Sequence, residues 1–119
     1  MAGSSIAKRG QPCAILNETE TLTATDTIKI PSGTVVLNHA SVVIAATFAN
    51  LKVGAEFLIW HAGGGTAAHT VTLPAGMTFD ATNNRATLNA LDESLLIRIV
   101  SSTRAHIIVN NGSVALSAV

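Results

Sequence analysis

The feature that most constrains this chain is its punctuation. Short runs of β-branched and aliphatic residues are each closed by a Pro, Gly or Asn cluster before they reach helical length. Thr27-Ile28-Lys29-Ile30 stops at Pro31-Ser32-Gly33, and Thr70-Val71-Thr72-Leu73 stops at Pro74-Ala75-Gly76. Proline lacks the N–H a strand interior needs, and glycine supplies a backbone with positive φ. Further strand signals lie at Cys13–Leu16, Thr19–Ala24, Thr25–Ile30, Thr34–Leu37, Ser41–Ala46, Glu56–His61 and Arg85–Leu88. The clearest pair, Ser94–Val100 and Ala105–Val109, is joined by Ser101-Ser102-Thr103-Arg104, a four-residue hairpin loop. Thr47–Val53 and Leu88–Glu93 have room for one helical turn each, and neither shows two turns of amphipathic spacing. Strands separated by turn chemistry every ~8–12 residues predict an all-β fold. The expected architecture is an antiparallel β-sandwich or a Greek-key or jelly-roll-like barrel over residues 13–119. Residues 1–12 lack periodicity and are expected to form an extended N-terminal arm.

Composition decides what surrounds such a fold. Hydrophobic residues make up 48% of the chain and charged residues only 12%, against about 25% charged in an ordinary soluble domain. A domain of this size must present much of its surface to water. With so few charges, a lone copy would expose apolar area that soluble monomers seldom carry. Self-association, or docking on a larger body, is therefore expected. Seven basic residues balance seven acidic ones, so the basic excess that drives nucleic-acid binding is missing. Aromatics make up 3%, too few for base-stacking platforms. No nucleic-acid partner is expected. No apolar run approaches the ~18 residues of a membrane helix, and no apolar stretch follows Lys8 and Arg9 as a secretory signal would require. No membrane partner is expected. A single cysteine, Cys13, allows no intrachain disulfide and suits a reducing cytoplasm.

The search for chemistry finds little. His61-Ala62-Gly63-Gly64-Gly65 has the look of a glycine-rich oxyanion loop, but no Gly-x-Ser-x-Gly nucleophile elbow accompanies it. His61 and His69 flank this loop and would approach each other if it closed a hairpin. A metal would need further ligands, and no Cys, His or carboxylate stands at metal-site spacing. Near a symmetry axis, one histidine per chain, His39 or His106 included, would be the remaining route. Asp92 and Glu93 are adjacent and in a strand would point to opposite faces, which is wrong for an acid–base pair. Asp80, in Phe79-Asp80-Ala81-Thr82, is expected to cap backbone amides. No catalytic residue, no metal and no cofactor is expected. Trp60 is expected in the core. Phe57, Ile59, His61, Arg98 and Ile108 are the candidates for an oligomer interface. In the arm, Ser4, Ser5, Ile6, Lys8, Arg9, Gln11 and Pro12 are the candidates for contact with a partner surface.

From Glu20 to Ser117 the chain resembles small virion structural proteins of tailed bacteriophages. The resemblance is carried by Glu20-Thr21-Leu22-Thr23-Ala24, by Gly54-Ala55-Glu56-Phe57-Leu58-Ile59, and by Ala68-His69-Thr70-Val71-Thr72-Leu73-Pro74-Ala75-Gly76. It continues through Thr78-Phe79-Asp80, Ala86-Thr87-Leu88, Glu93-Ser94-Leu95 and Val100-Ser101-Ser102-Thr103-Arg104, and ends at Val109-Asn110-Asn111-Gly112-Ser113-Val114-Ala115-Leu116-Ser117. Similar proteins often carry Trp after the Ser-Thr-Arg turn, where Ala105 stands here. The resemblance implies a homotrimeric capsid decoration, or cement, protein. Such a protein would be made in the host bacterial cytoplasm, bind the major capsid protein and stabilise the shell. It also leaves open a tail-fibre or tail-tip module that binds a host receptor.

Overall fold

The turn clusters do end the strands, and the strands close into two layers. The computed structural model describes residues 18–119. The arm and the Cys13–Leu16 run fall outside the described residues. The first sheet runs, edge to edge, β1 (Thr19–Leu22), β3 (Gly33–Leu37), β5 (Glu56–His61), β8 (Ser94–Ser101) and β9 (Arg104–Asn111). The second runs β10 (Ala115–Ser117), β7 (Arg85–Leu88), β6 (His69–Thr72), β4 (Ala45–Phe48) and β2 (Thr27–Ile28). The protein is an all-β sandwich, with no helix among the described residues.

Both sheets are mixed. From β1 to β6 the chain alternates between layers, odd strands in the first sheet and even strands in the second. Neighbours within each sheet are therefore parallel here: Thr34 stands beside Thr19 and Leu58, and Ala45 beside Thr70. Parallel neighbours need a long crossover, usually a helix. In this chain the crossover is a strand of the opposite sheet, so each sheet is the cover of the other. From β6 onward the path reverses. β7 runs antiparallel to β6, β8 to β5, β9 to β8 and β10 to β7.

Side chains alternate with period two, as a sheet with one buried face requires. Val35 and Leu37 of β3, Phe57 and Ile59 of β5, and Leu95, Ile97 and Ile99 of β8 are buried from one layer. Ala46, Val71, Ala86 and Leu88 meet them from the other. Phe57 spans the layers, its ring edge-on to Phe48 of β4 at a centroid separation of 5.0 Å. Two polar side chains fasten the passage of the chain from β2 to β3. The Glu20 carboxylate accepts from the Lys29 and Ile30 amides at 2.6 and 3.1 Å. The Ser32 hydroxyl donates to the Glu56 carbonyl at 2.8 Å and accepts from the Glu56 amide at 3.1 Å. Gly33 then enters β3 at φ 126°, where any side chain would collide with the Glu18 carbonyl.

Three local expectations change. Thr47 and Phe48 close strand β4, Leu88 ends β7, and 89–93 is a turn in which Asp92 takes φ 68°. The hairpin between β8 and β9 forms, but Ser101 pairs with Arg104, so its loop is the two residues Ser102-Thr103 and not the four expected. Strand β10 carries no periodic signal; at three residues, Ala115–Ser117, it is too short to show one.

Candidate functional site

The outer face of the first sheet is apolar. In β5 the residues Phe57, Ile59 and His61 are 0% exposed, whereas Leu58 and Trp60 are each 38% exposed. The register lines up Thr34, Leu58, Leu96 and Val109 in one row and Val36, Trp60, Ser94 and Asn111 in the next. Val109 is also well exposed, and Ile108 lies at the bulge that shifts the β8–β9 register. A shallow groove of about 140 Å³ lies on this face, lined by Gly33, Thr34, Glu56, Leu58 and Leu96. Arg98, at the end of the face, donates to Glu56 at 2.7 Å.

This placement corrects the interface expectation. Phe57, Ile59 and His61 are inside their own domain and offer no area to another chain. Arg98 and Ile108 are on the surface, as an interface requires. Leu58 and Trp60 are the outward residues of β5. The expectation that Trp60 is core is likewise overturned: its ring faces out, and its Nε1–H donates to Asp92 Oδ1 at 3.2 Å. That bond fixes an exposed aromatic in one orientation, so little rotamer freedom remains to be lost on docking. The run Glu-Phe-Leu-Ile-Trp-His is apolar on both parities, so the alternation that would tell inside from outside is absent.

The second feature is the end of the sandwich where three histidines meet. His61 ends β5 and His69 begins β6; both are fully buried and their rings stack at 4.7 Å with 30° between planes. Their approach was expected only if the glycine loop closed a hairpin; they approach instead because that loop crosses from the first sheet to the second. Hydrogen bonds fix the tautomers. His69 Nε2 donates to the His39 carbonyl at 3.0 Å, and its Nδ1 accepts from the Ile44 amide at 3.0 Å. His61 Nε2 donates to the Ala67 carbonyl at 3.0 Å, and its buried Nδ1 has no partner. His39 Nδ1 accepts from the Ser41 and Val42 amides at 3.1 and 3.0 Å. Burial holds the His69 imidazole below its ordinary range, and His61 and His39 push it the same way against the bond to the His39 carbonyl. His106 lies apart, exposed on β9 opposite Arg98.

The glycine loop is packed rather than open. A side chain at Gly63 would meet the His39 backbone, and one at Gly65 would overlap the Ala40 carbonyl. Gly65→Ala is expected to cost about 1–3 kcal/mol, the usual range for forcing atoms into a filled site. Urea unfolding checks it; an unchanged midpoint would show that the loop yields.

The remaining acidic residues serve the backbone. Asp80 Oδ1 accepts from the Asn83 and Thr82 amides at 2.7 and 3.0 Å, which together with the Asn83 side chain and Arg104 lowers its pKa. The cap expected from the sequence is present. Glu93, buried on the β7–β8 turn, accepts from the Asn89 and Ala90 amides at 2.7 and 3.2 Å. Sequence reasoning did not anticipate that role; the Glu three and four residues after the amides it binds was the available signal. Among the described residues, no three His, Cys, Asp or Glu side chains are grouped to hold a metal. No helix among them is long and apolar enough to cross a membrane.

Fold and surface together define a class: a mixed-sheet β-sandwich, without helix among the described residues, whose first sheet carries apolar side chains on its outer as well as its inner face. No protein-family model matches the chain, and a search of curated proteins finds no match to it.

Proposed function

We propose that this chain is a self-associating structural subunit that acts as a capsid decoration protein of a tailed bacteriophage, binding the major capsid protein as a homotrimer and stabilising the shell. The observation that carries the self-association is the outer face of the first sheet, where Leu58 and Trp60 are exposed on β5 and Val109 is exposed across Leu96 in the same row as Leu58. Burying such surface is worth roughly 25 cal/mol per Å². A pinned aromatic beside a shallow apolar groove is the pattern of an interface anchor. The low charge content argues the same way, since permanent interfaces rely on apolar area and shape. The virion assignment rests on the resemblance across Glu20–Ser117. Repetition on a shell lets modest contacts hold, because each bound site raises the effective concentration at the next.

Light scattering of the purified protein tests the first part. The expected mass is three times the 12.2 kDa chain. Co-sedimentation with heads stripped of their decoration tests the second. A monomer at every concentration that binds no particle would overturn the proposal, and sedimentation with tails alone would overturn its capsid part.

A further inference from the structure

The histidine end of the sandwich is built in a way that structural packing alone does not require. Three imidazoles hold two loops together, residues 38–44 and 62–68, through the bonds they make to backbone groups. His69 is the centre. Its Nδ1 lone pair receives the Ile44 amide and its Nε2–H reaches the His39 carbonyl, so one ring ties the entry of β4 to the preceding loop. His39 uses its own Nδ1 lone pair to hold the Ser41 and Val42 amides, turning the same loop. His61 stacks on His69 and ties the other loop through the Ala67 carbonyl. A proton added to Nδ1 of His69 or His39 removes the acceptor those amides use. A proton added to Nδ1 of His61 makes a buried donor at an atom that has no partner. In either ring of the stack, the new charge sits 4.7 Å from its neighbour's centroid in a fully buried site.

We propose that His69, with His39 and His61 packed around it, forms an acid-labile clasp, which holds loops 38–44 and 62–68 closed at neutral pH and releases them when the His69 imidazole takes up a proton. The clasp is independent of the self-association proposed above, whose surface lies on the outer face of the first sheet. Val42 and Val43, already exposed on the first of these loops, would be freed with it.

The groups around His69 do not offset protonation. His61 and His39 oppose it, and no carboxylate among the described residues contributes in its favour. The neighbouring turn carries Asp92 and Glu93, but Asp92 is bonded to the Trp60 indole and Glu93 to the Asn89 and Ala90 amides. On the packed strands, Arg85 sits at the far end of β7, bonded to Thr72, and Glu56 at the far end of β5, bonded to Arg98. β4 carries no charged side chain. The sign follows. A histidine whose folded pKa lies below its ordinary 6.5 contributes stability that is fully present above 6.5 and lost as pH falls below it. Each pH unit in that window favours the open form by up to about tenfold through the His69 imidazole.

Amide hydrogen exchange read by NMR between pH 7.5 and 5.5 tests the clasp on the intact protein. The Ile44 amide reports the clasp, and the Ile97 amide, on a central strand of the core, reports global opening. After correction for intrinsic exchange, protection at Ile44 is expected to fall by up to about tenfold and to lie well below that at Ile97 at every pH, because the local and the global open states take up the same proton. A His69→Asn variant retains a side-chain oxygen as acceptor but does not titrate, and its Ile44 protection is expected to be flat over the same range. Constant protection at Ile44 in the wild type, or protection at Ile44 as high as at Ile97 throughout, overturns the proposal, whether or not the variant folds.

Discussion

A Phe57→Ala chain is expected to lose about 3–5 kcal/mol of folding stability, the usual cost of deleting a fully buried phenylalanine. Phe57 is 0% exposed and sits between Gly33 of β3 and Ile97 of β8 in the first sheet, with its ring against Phe48 of the second. Gly33 has no side chain to move into the space, and Phe48 reaches it from the far layer. The void would therefore close poorly, which places the cost toward the upper end. Domains of this kind have only about 5–15 kcal/mol in total. The variant should thus unfold at a much lower urea midpoint, with an unchanged slope. A loss below ~1 kcal/mol would mean that the two sheets do not meet at Phe57.

Leu58→Glu, one residue along the same strand, is expected to do the opposite: leave the fold intact and abolish self-association. Leu58 faces out, so the substitution should change chain stability by no more than about 0.5 kcal/mol. In a self-associated protein the new carboxylate would be buried between apolar rows with no cation to pair with, since Arg98 is already bonded to Glu56. An unpaired buried charge costs several kcal/mol. A loss of about 2.7 kcal/mol already raises a dissociation constant ~100-fold. Sedimentation velocity should show the wild-type assembly replaced by single chains. Thr87→Glu, on the outer face of the second sheet, is the control and should leave the mass unchanged. If Leu58→Glu assembles as the wild type does, the interface lies elsewhere.

Both variants lie on one strand, and the difference between them measures what could be read in advance. Strand existence was legible wherever a β-branched run met a turn cluster. Glu56–His61 and Arg85–Leu88 form with the bounds expected, because Gly and Pro act on the backbone locally, whatever the rest of the chain does. The two Pro-x-Gly turns place Gly33 and Gly76 at positive φ for the same local reason. Facing was not legible in β5, whose two parities are equally apolar, and Trp60 and Phe57 were exchanged in consequence. Nor was the ion pair of Arg98 with Glu56 fixed by sequence: it needs β5 and β8 in register across 42 residues. The histidine stack was half legible. The glycine loop suggested that His61 and His69 would meet across a hairpin; they do meet, but through a crossover between the sheets, and the Ile44 amide and His39 carbonyl that fix the tautomer come from another crossover.

The amino-acid order by itself determined that this chain would be strands and turns, that it would hold one layered core, and that it carried too few charges to cover a solitary surface. Those follow from local backbone preference and from counting, and neither depends on which strand lies beside which. The tertiary structure alone decided the parallel pairing of β1 with β3 and β3 with β5, the outward turn of Leu58 and Trp60, and the bonds that tie His69 to the Ile44 amide and the His39 carbonyl. Each of these depends on contacts between residues far apart in the chain, where a shift of one residue in register turns every side chain to the other face.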